Sequence, residues 1–243
     1  GQATPYVPTD DIAYHYIDAL MARGHFPGLP AMERPYHAGR LRSALDSARA
    51  EPHGRVTASY MDALSESLRR FELRRASDTA ARIPFRAKAT FDIYATAQTS
   101  SHRELMRADW NEDLEPAAAG YFVMGGGHLA AAVRAILDPR LNEDPEFSSK
   151  KDRAIAGRTE DAYLAGQWKY AEAAYGRVAR SWGPHAFSGL LLGDDAYTYD
   201  HLYARVGTER IHISTVIAKL ENYILAPGFE SSRYFSVHRL AFN

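Results

Sequence analysis

The residues best suited to chemistry are arginines set among aromatic side chains in the last third of the chain. They are Arg177, Arg180, Arg205 and Arg210, with Trp182, Tyr199 and Tyr203 close by in sequence. A guanidinium fork pairs bidentately with carboxylates, and aromatic rings stack on the flat faces of sugars. On one wall such a set would hold an acidic polysaccharide. The same arginines can instead pair with Glu172, Asp195 and Glu209 and simply fill a polar interior.

Other constellations carry less. Asp194 and Asp195 could supply carboxylates for sugar hydrolysis, which needs two at a defined separation, but an acidic doublet beside Gly193 is also how turns are made. There is no G-x-S-x-G elbow. The ten histidines are scattered, with no H-E-x-x-H or similar ligand spacing, so neither a metal nor a cofactor is expected. Gly125-Gly126-Gly127 lacks the spacing of a phosphate loop and reads as a strand bulge or bend. Lys150-Lys151 and Arg74-Arg75 fit a solvated loop or contact with lipid headgroups. The expectation is a protein that is not an enzyme.

Composition narrows the classes further. A formal net charge of -1 gives no field for nucleic acid. With no cysteine, disulfide frameworks, thiolate metal sites and cysteine nucleophiles are excluded. Tyr (15) outnumbers Phe (10) and Trp (3), a bias that suits wet faces or a lipid–water boundary. No apolar run approaches the roughly 20 residues of a membrane-spanning helix, whereas a barrel strand needs only about 9–11. The chain opens Gly1-Gln2-Ala3-Thr4-Pro5, a small-residue start of the kind signal-peptide cleavage leaves; trimming of the sequence explains it as well.

Two regimes of periodicity must position these residues. Over residues 1-72 the apolar spacing is helical. Thr9 and Asp10 offer caps for a stripe of Ile12, Tyr16, Ile17, Leu20 and Met21, and Gly24 supplies a stop. After Pro27, Pro30 and Pro35, a second stripe runs Ala38, Leu41, Leu45, Ala48, broken by Pro52 and Gly54. A third runs Val56, Tyr60, Leu64, Leu68, Phe71. Three short helices of modest core need something larger to pack against.

Over residues 73-243 the period becomes two. From Ile83 to Gln98 the odd positions are Ile, Phe, Ala, Ala, Phe, Ile, Ala, Ala, and after Pro84 the even ones are Arg, Lys, Thr, Asp, Tyr, Thr, Gln. One strand face is therefore wholly apolar and the other polar. At about 3.3 Å per residue the segment reaches roughly 50 Å, the length of a tilted strand crossing a bilayer and projecting beyond it. A long bent strand in a soluble sheet, or two strands joined at a bulge, would carry the same pattern. Further strands are read at Gly120 to Asp138 (broken near the glycine triplet), Ala162 to Trp182, Arg205 to Tyr223 and Arg233 to Phe242. Polar loops are read at Ser100 to Pro116, Asp138 to Thr159 and Pro227 to Ser232. Short turns at one end and long polar loops at the other are the plan of outer-membrane barrels.

Two stretches carry a family likeness. One is the Asp-capped helix from Asp11 to Met21, leading through Gly24 and a Pro-containing connector into a second helix. The other is Tyr175-Gly176-Arg177, followed by Ser181-Trp182-Gly183-Pro184 and Gly189-Leu190-Leu191-Leu192-Gly193-Asp194. In these the chain resembles the outer-membrane capsule-assembly proteins of the Wzi type. The resemblance implies a helical bundle ahead of a large transmembrane antiparallel β-barrel that helps anchor capsular polysaccharide at the cell surface. The eight to ten strands that can be counted here are about half of such a barrel, so either the chain closes as a smaller barrel or, the preferred expectation, it is the N-terminal portion of a larger one.

The reading is a monomeric protein of the bacterial outer membrane, exported by a cleaved signal peptide, with surface polysaccharide and membrane lipid as partners and no nucleic acid. Its rivals are a porin-like channel for small solutes, an envelope glycan or lipid hydrolase, and a soluble β-rich binding module.

Overall fold

A computed structural model describes residues 3–73, 85–97, 114–142, 144, 147, 156–183, 192–193, 197–226 and 229–242. The three helical stripes form α1 (Ala13–Met21), α2 (Ala38–Arg49) and α3 (Arg55–Leu68), and a 3-10 turn closes the last at Phe71. The α2 stripe Ala38, Leu41, Leu45, Ala48 is the buried face as read from sequence. In α1 the buried face is Ala13, Tyr14, Ile17 and Leu20, one step round from the predicted stripe, and Ile12 lies outside it, 52% exposed. Neither Thr9 nor Asp10 caps this helix. Asp11 does, its carboxylate accepting from the Ala13 N–H at 2.9 Å. Gly24 ends the helix at φ +84°, a region closed to most side chains.

The rest is mainly antiparallel β. Two short strands, β1 (Glu33–Arg34) and β7 (Ser181–Trp182), pair with each other. The other eight are β2 (Arg86–Ala97), β3 (Leu114–Gly126), β4 (Leu129–Leu137), β5 (Gly157–Gln167), β6 (Ala171–Arg177), β8 (Asp200–Gly207), β9 (Ile211–Ala226) and β10 (Phe229–Phe242). They form one sheet in the order β10-β9-β8-β6-β5-β4-β3-β2. Each strand lies beside its predecessor except where β7 leaves the sheet. The sheet is open: among the described residues no strand pairs with the outer edge of β2 or of β10.

Several sequence-derived strands divide in two. The span Ala162 to Trp182 turns at Trp168–Tyr170, where the Trp168 N–H bonds the Ala171 carbonyl at 2.8 Å, and then leaves the sheet as β7. The span Arg205 to Tyr223 turns at Thr208–Arg210, because Gly207 (φ +136°) permits a bend. The glycine triplet ends β3 and enters the hairpin turn to β4, with Gly125 and Gly126 still paired in the strand and Gly127 in the turn at φ +55°. Most of the loop read at Pro227 to Ser232 is the start of β10. Ile83, Pro84 and Gln98 lie outside the described residues, as do Arg74-Arg75, Lys150-Lys151, Pro184 and Gly189 to Leu191.

The two faces of the sheet differ sharply. The N-terminal segment and the helices cover one of them. Ile17, Leu45, Leu64 and Phe71 share a single hydrophobic cluster with Tyr121, Val123, Tyr163, Tyr203, Val216 and Val237. Among the described residues nothing covers the other face, and it is the more apolar one. Register puts Ala89 with Phe122 and Phe91 with Gly120, then Phe122 with Val133 and Leu164 with Tyr175. It continues with Tyr175 opposite Leu202 and Val206 opposite Ile213. Phe91 is 64% exposed, Ile93 78%, Val133 47% and Ile213 57%. In β2 the alternation therefore stands with its polar face turned inward: Lys88 bonds the Arg69 carbonyl at 2.5 Å and Asp92 faces Arg70. Polar groups on the outer face include the facing pair Arg177 and Asp200, and Thr215 and Ser236, both of which bond His238.

Candidate functional site

Between the helical layer and the sheet lies a chain of charged and aromatic groups, built from both. The N-terminal segment threads it in extended form. Ala3 donates to the Gly127 carbonyl at 2.8 Å, Val7 to that of Tyr36 at 2.9 Å, and Ala38 to that of Pro5 at 2.9 Å. Tyr6 is thereby carried into the interior, its ring stacked on His37 at 4.2 Å. Its hydroxyl bonds Glu172 of β6, and the same carboxylate meets His37 Nε2 at 2.9 Å. Burial raises the Tyr6 pKa well above the ordinary tyrosine value despite the neighbouring Arg180 charge, so this phenol stays neutral and can donate.

Arg180 is the central cation. It follows β6 where the chain turns inward, and its guanidinium lies 3.7 Å from the Tyr203 ring centre and 4.8 Å from that of Tyr6. It donates to the Tyr6 hydroxyl at 3.1 Å and to His201 Nε2 at 2.9 Å. A cation held between two rings and two acceptors keeps its charge out of water at reduced cost.

Glu33 of β1 anchors the other end. It accepts from Tyr203 at 3.0 Å and from Arg239 at 3.1 Å, and His212 Nε2 lies 3.3 Å away. Burial alone would raise its pKa; the His212 and Tyr203 hydrogen bonds and the Arg239 charge overcome that, and the carboxyl titrates below the ordinary glutamate value. A second charged group sits across the sheet, where Arg134 bridges Asp161 at 2.6 Å and Asp10 at 2.8 Å.

The sequence-derived set is split by this geometry. Arg180, Tyr203 and Arg205 come together on the covered face. Arg205 reaches Glu209 at 3.5 Å and His212 Nδ1 at 3.3 Å. Trp182 is buried, 8% exposed. Its β7 strand holds the connector bearing Glu33, so its ring is no platform for a sugar. Tyr199 is half-buried against His201. Arg177 stands on the opposite face beside Asp200, at 3.5 Å, and Arg210 is exposed in the β8–β9 turn. These two are removed from the set. Of the wall carboxylates, Glu209 pairs with Arg205 and Glu172 with His37; Asp195, like Asp194, lies outside the described residues.

Sequence reasoning missed Tyr6, Glu33, His37, His201, His212 and Arg239. The signal that existed was weak: His212 and Ser214 interrupt the alternation Ile211, Ile213 in β9, on the face that turns inward. Among the described residues no group of three His, Asp or Glu side chains is arranged to hold a metal ion. A cavity of about 860 Å³ opens beside the cluster, between α2 with its preceding connector and the turns β5–β6 and β8–β9.

Compared with known protein families, curated proteins and solved structures, the chain matches none.

Proposed function

We propose that the eight-stranded sheet is part of a transmembrane β-barrel wall in a bacterial outer membrane, that the helical layer fills its polar interior, and that the protein, as a monomer, helps assemble or retain a surface polysaccharide. One observation carries the reading: among the described residues the uncovered face is the more apolar one, with Arg177, Asp200, Thr215, Lys219, Ser236 and His238 as polar exceptions on β6 to β10. A water-borne sheet seals its apolar face inside and leaves the polar one wet; a barrel wall does the reverse.

Two features support it. The connections β3–β4, β5–β6 and β8–β9 are short and lie at one end, while those after β2, β4 and β6 are long and lie at the other, where the β9–β10 connection is also short. Exposed aromatics (Phe85, Trp168, Tyr170 and Phe242) stand near the short-turn end, where an interfacial belt belongs. An open sheet in hydrocarbon would leave unpaired edge groups, so the barrel reading requires further strands or a partner to meet β2 and β10. No helix of the described residues is long and apolar enough to cross a membrane.

The polysaccharide function adds the family resemblance to this architecture. Its test is genetic. Deletion of the gene should release surface polysaccharide into the medium, the wild-type gene should restore retention, and Val133→Arg should not. Retention that survives deletion removes the function. Recovery of the purified chain in the aqueous fraction without detergent removes the wall.

A porin-like channel shares the architecture but needs an open lumen, and here helices cover the polar face. Absence of solute conductance in reconstituted bilayers is the expected result.

A further inference from the structure

We propose that the cavity beside α2 binds a small organic carboxylate, one acidic group on an apolar body, with the carboxylate seated on Arg180 and the entrance at the short-turn end of the sheet. The inference uses neither the membrane reading nor the polysaccharide reading.

The cavity, about 860 Å³, is in the range of small-molecule sites, roughly 300–1,000 Å³. Buried Tyr6, Arg180 and Tyr203 line it on one side, and the exposed turn Trp168–Lys169–Tyr170 on another. Arg180 is 5% exposed. Its guanidinium is fixed by the Tyr6 and Tyr203 rings and by two of its nitrogens, Nε donating to His201 and Nη2 to the Tyr6 hydroxyl. The remaining nitrogen, Nη1, has no acceptor among the described residues and is not sealed from solvent. A held cation with one open donor on a cavity wall suits an oxyanion, and a ligand bears little of the cost of ordering it.

The other wall charges decide how much negative charge fits. Glu172 pairs with His37, and Glu209 is shared by Arg40 and Arg205. Glu33 is matched by His212 and by Arg239, neither of which lines the cavity. Among the described residues Arg180 and Lys169 have no carboxylate within ion-pair distance, and the remaining wall carboxylate, Glu51, lies exposed beyond the end of α2. The wall and Arg239 together bring five Lys and Arg side chains to four glutamates. A monoanion balances that excess. A phosphate monoester, close to a dianion at neutral pH, would leave negative charge uncompensated near Glu172 and Glu33, and an uncharged ligand would leave Arg180 unmatched.

The body of the ligand is set by the apolar part of the wall. Phe26, Leu29 and Tyr36 are buried along the connector, while Trp168 and Tyr170 are 51% and 55% exposed at the opening. These surfaces favour a hydrocarbon or aromatic skeleton. Lys169 stands in the same turn, its ammonium 4.9 Å from the Tyr170 ring centre, and draws an anion toward the opening.

The test is calorimetric titration of the detergent-solubilised full chain, with heats into protein-free detergent subtracted. The probes are phenylacetate, its uncharged amide and inorganic phosphate. Phenylacetate is expected to bind, the amide at least about tenfold more weakly, and phosphate more weakly than phenylacetate. Ser43→Trp narrows the cavity from an exposed position of α2 and should weaken phenylacetate by a similar factor with thermal unfolding unchanged. Lys169→Gln should weaken it about two- to fourfold at low salt and not at high salt. Arg180→Gln addresses the seat directly but removes a buried cation; if either it or Ser43→Trp fails to fold, the probe comparison on the unaltered protein decides. The proposal is overturned if phenylacetate does not bind, if the amide binds as tightly, if phosphate binds more tightly, or if folded Ser43→Trp binds unchanged. No step needs a bilayer, so a failed titration leaves the barrel wall standing, and a failed membrane-insertion experiment leaves the titration unaffected.

Discussion

The helical layer and the sheet are both amphipathic, yet they turn their apolar sides to opposite surroundings. In α2 and α3 the apolar stripes point into the molecule, and Leu41, Leu45, Leu64 and Leu68 have no exposure. In β2 to β10 the side chains that point inward include Arg134, Asp161, Glu172 and Arg205, while Phe91, Ile93, Val133 and Ile213 point out. Helices that bury apolar side chains and strands that display them place unlike surroundings on the two sides of one sheet. Burial of apolar area is favourable wherever water is displaced, so the same force that seals the helical layer leaves the outer face in need of a cover, which in the proposed reading is lipid.

Each of the following experiments strains that contrast, beginning with the largest effect. Leu64→Ala should destabilise the chain by about 2–5 kcal/mol in denaturant unfolding, as expected for a cavity in a sealed core. A shift under 1 kcal/mol would mean that the helical layer is loosely held. Val133→Arg, at the middle of β4 on the outer face, should cost about 2–4 kcal/mol for folding into liposomes. An unchanged equilibrium would break the comparison, because the face would then not meet hydrocarbon.

The seam between the two regions sharpens it. Glu33→Gln should cost about 1.5–3 kcal/mol, the range for hydrogen bonds to a charged group. The pH dependence has a definite sign. The Glu33 carboxyl is held below its ordinary pKa in the folded protein, so the seam's contribution is complete above the unfolded value of about 4.3 and is lost as pH falls through the lower folded value. Stability that rises on acidification through this window would contradict the anchor.

Smaller effects probe the helical layer alone. Gly24→Ala should cost about 1–2 kcal/mol, since φ +84° is strained for a residue with a Cβ; thermal unfolding measures it. Asp11 presents the reverse of Glu33. Burial raises its pKa above the ordinary aspartate value, so its folded-state contribution is present at low pH and lost as pH rises through the raised value. Asp11→Asn, which can still accept from the Ala13 N–H, should change stability at neutral pH by less than about 1 kcal/mol. A larger loss would mean that the charge facing Arg70, rather than the cap, holds the start of α1.

Legibility followed locality. The α2 stripe could be read residue by residue because a 3.6-residue period is set by neighbours along the chain, and the β2 ribbon could be read because alternation is equally local. The turns at Trp168–Tyr170 and Thr208–Arg210 were less visible, since each is a three-residue break whose pattern resumes in the same composition. At the site, Arg180, Tyr203 and Arg205 were found because they cluster in sequence, and Arg177 was wrongly grouped with them for the same reason. Between Arg177 and Arg180 the chain leaves the sheet, and three residues of sequence separation become opposite faces.

The sequence by itself determined two things here, a helical opening followed by long two-faced strands, and a set of residues able to pair charges or contact sugars. Only the tertiary structure decided which strand face is covered and which charges are already spent on each other. Periodicity records that a strand has two unlike faces and carries no mark of which side its neighbours will occupy. Tyr6 and Glu33 meet partners 157 to 206 residues away, and no spacing along the chain encodes such a meeting before the sheet and the helical layer close on each other.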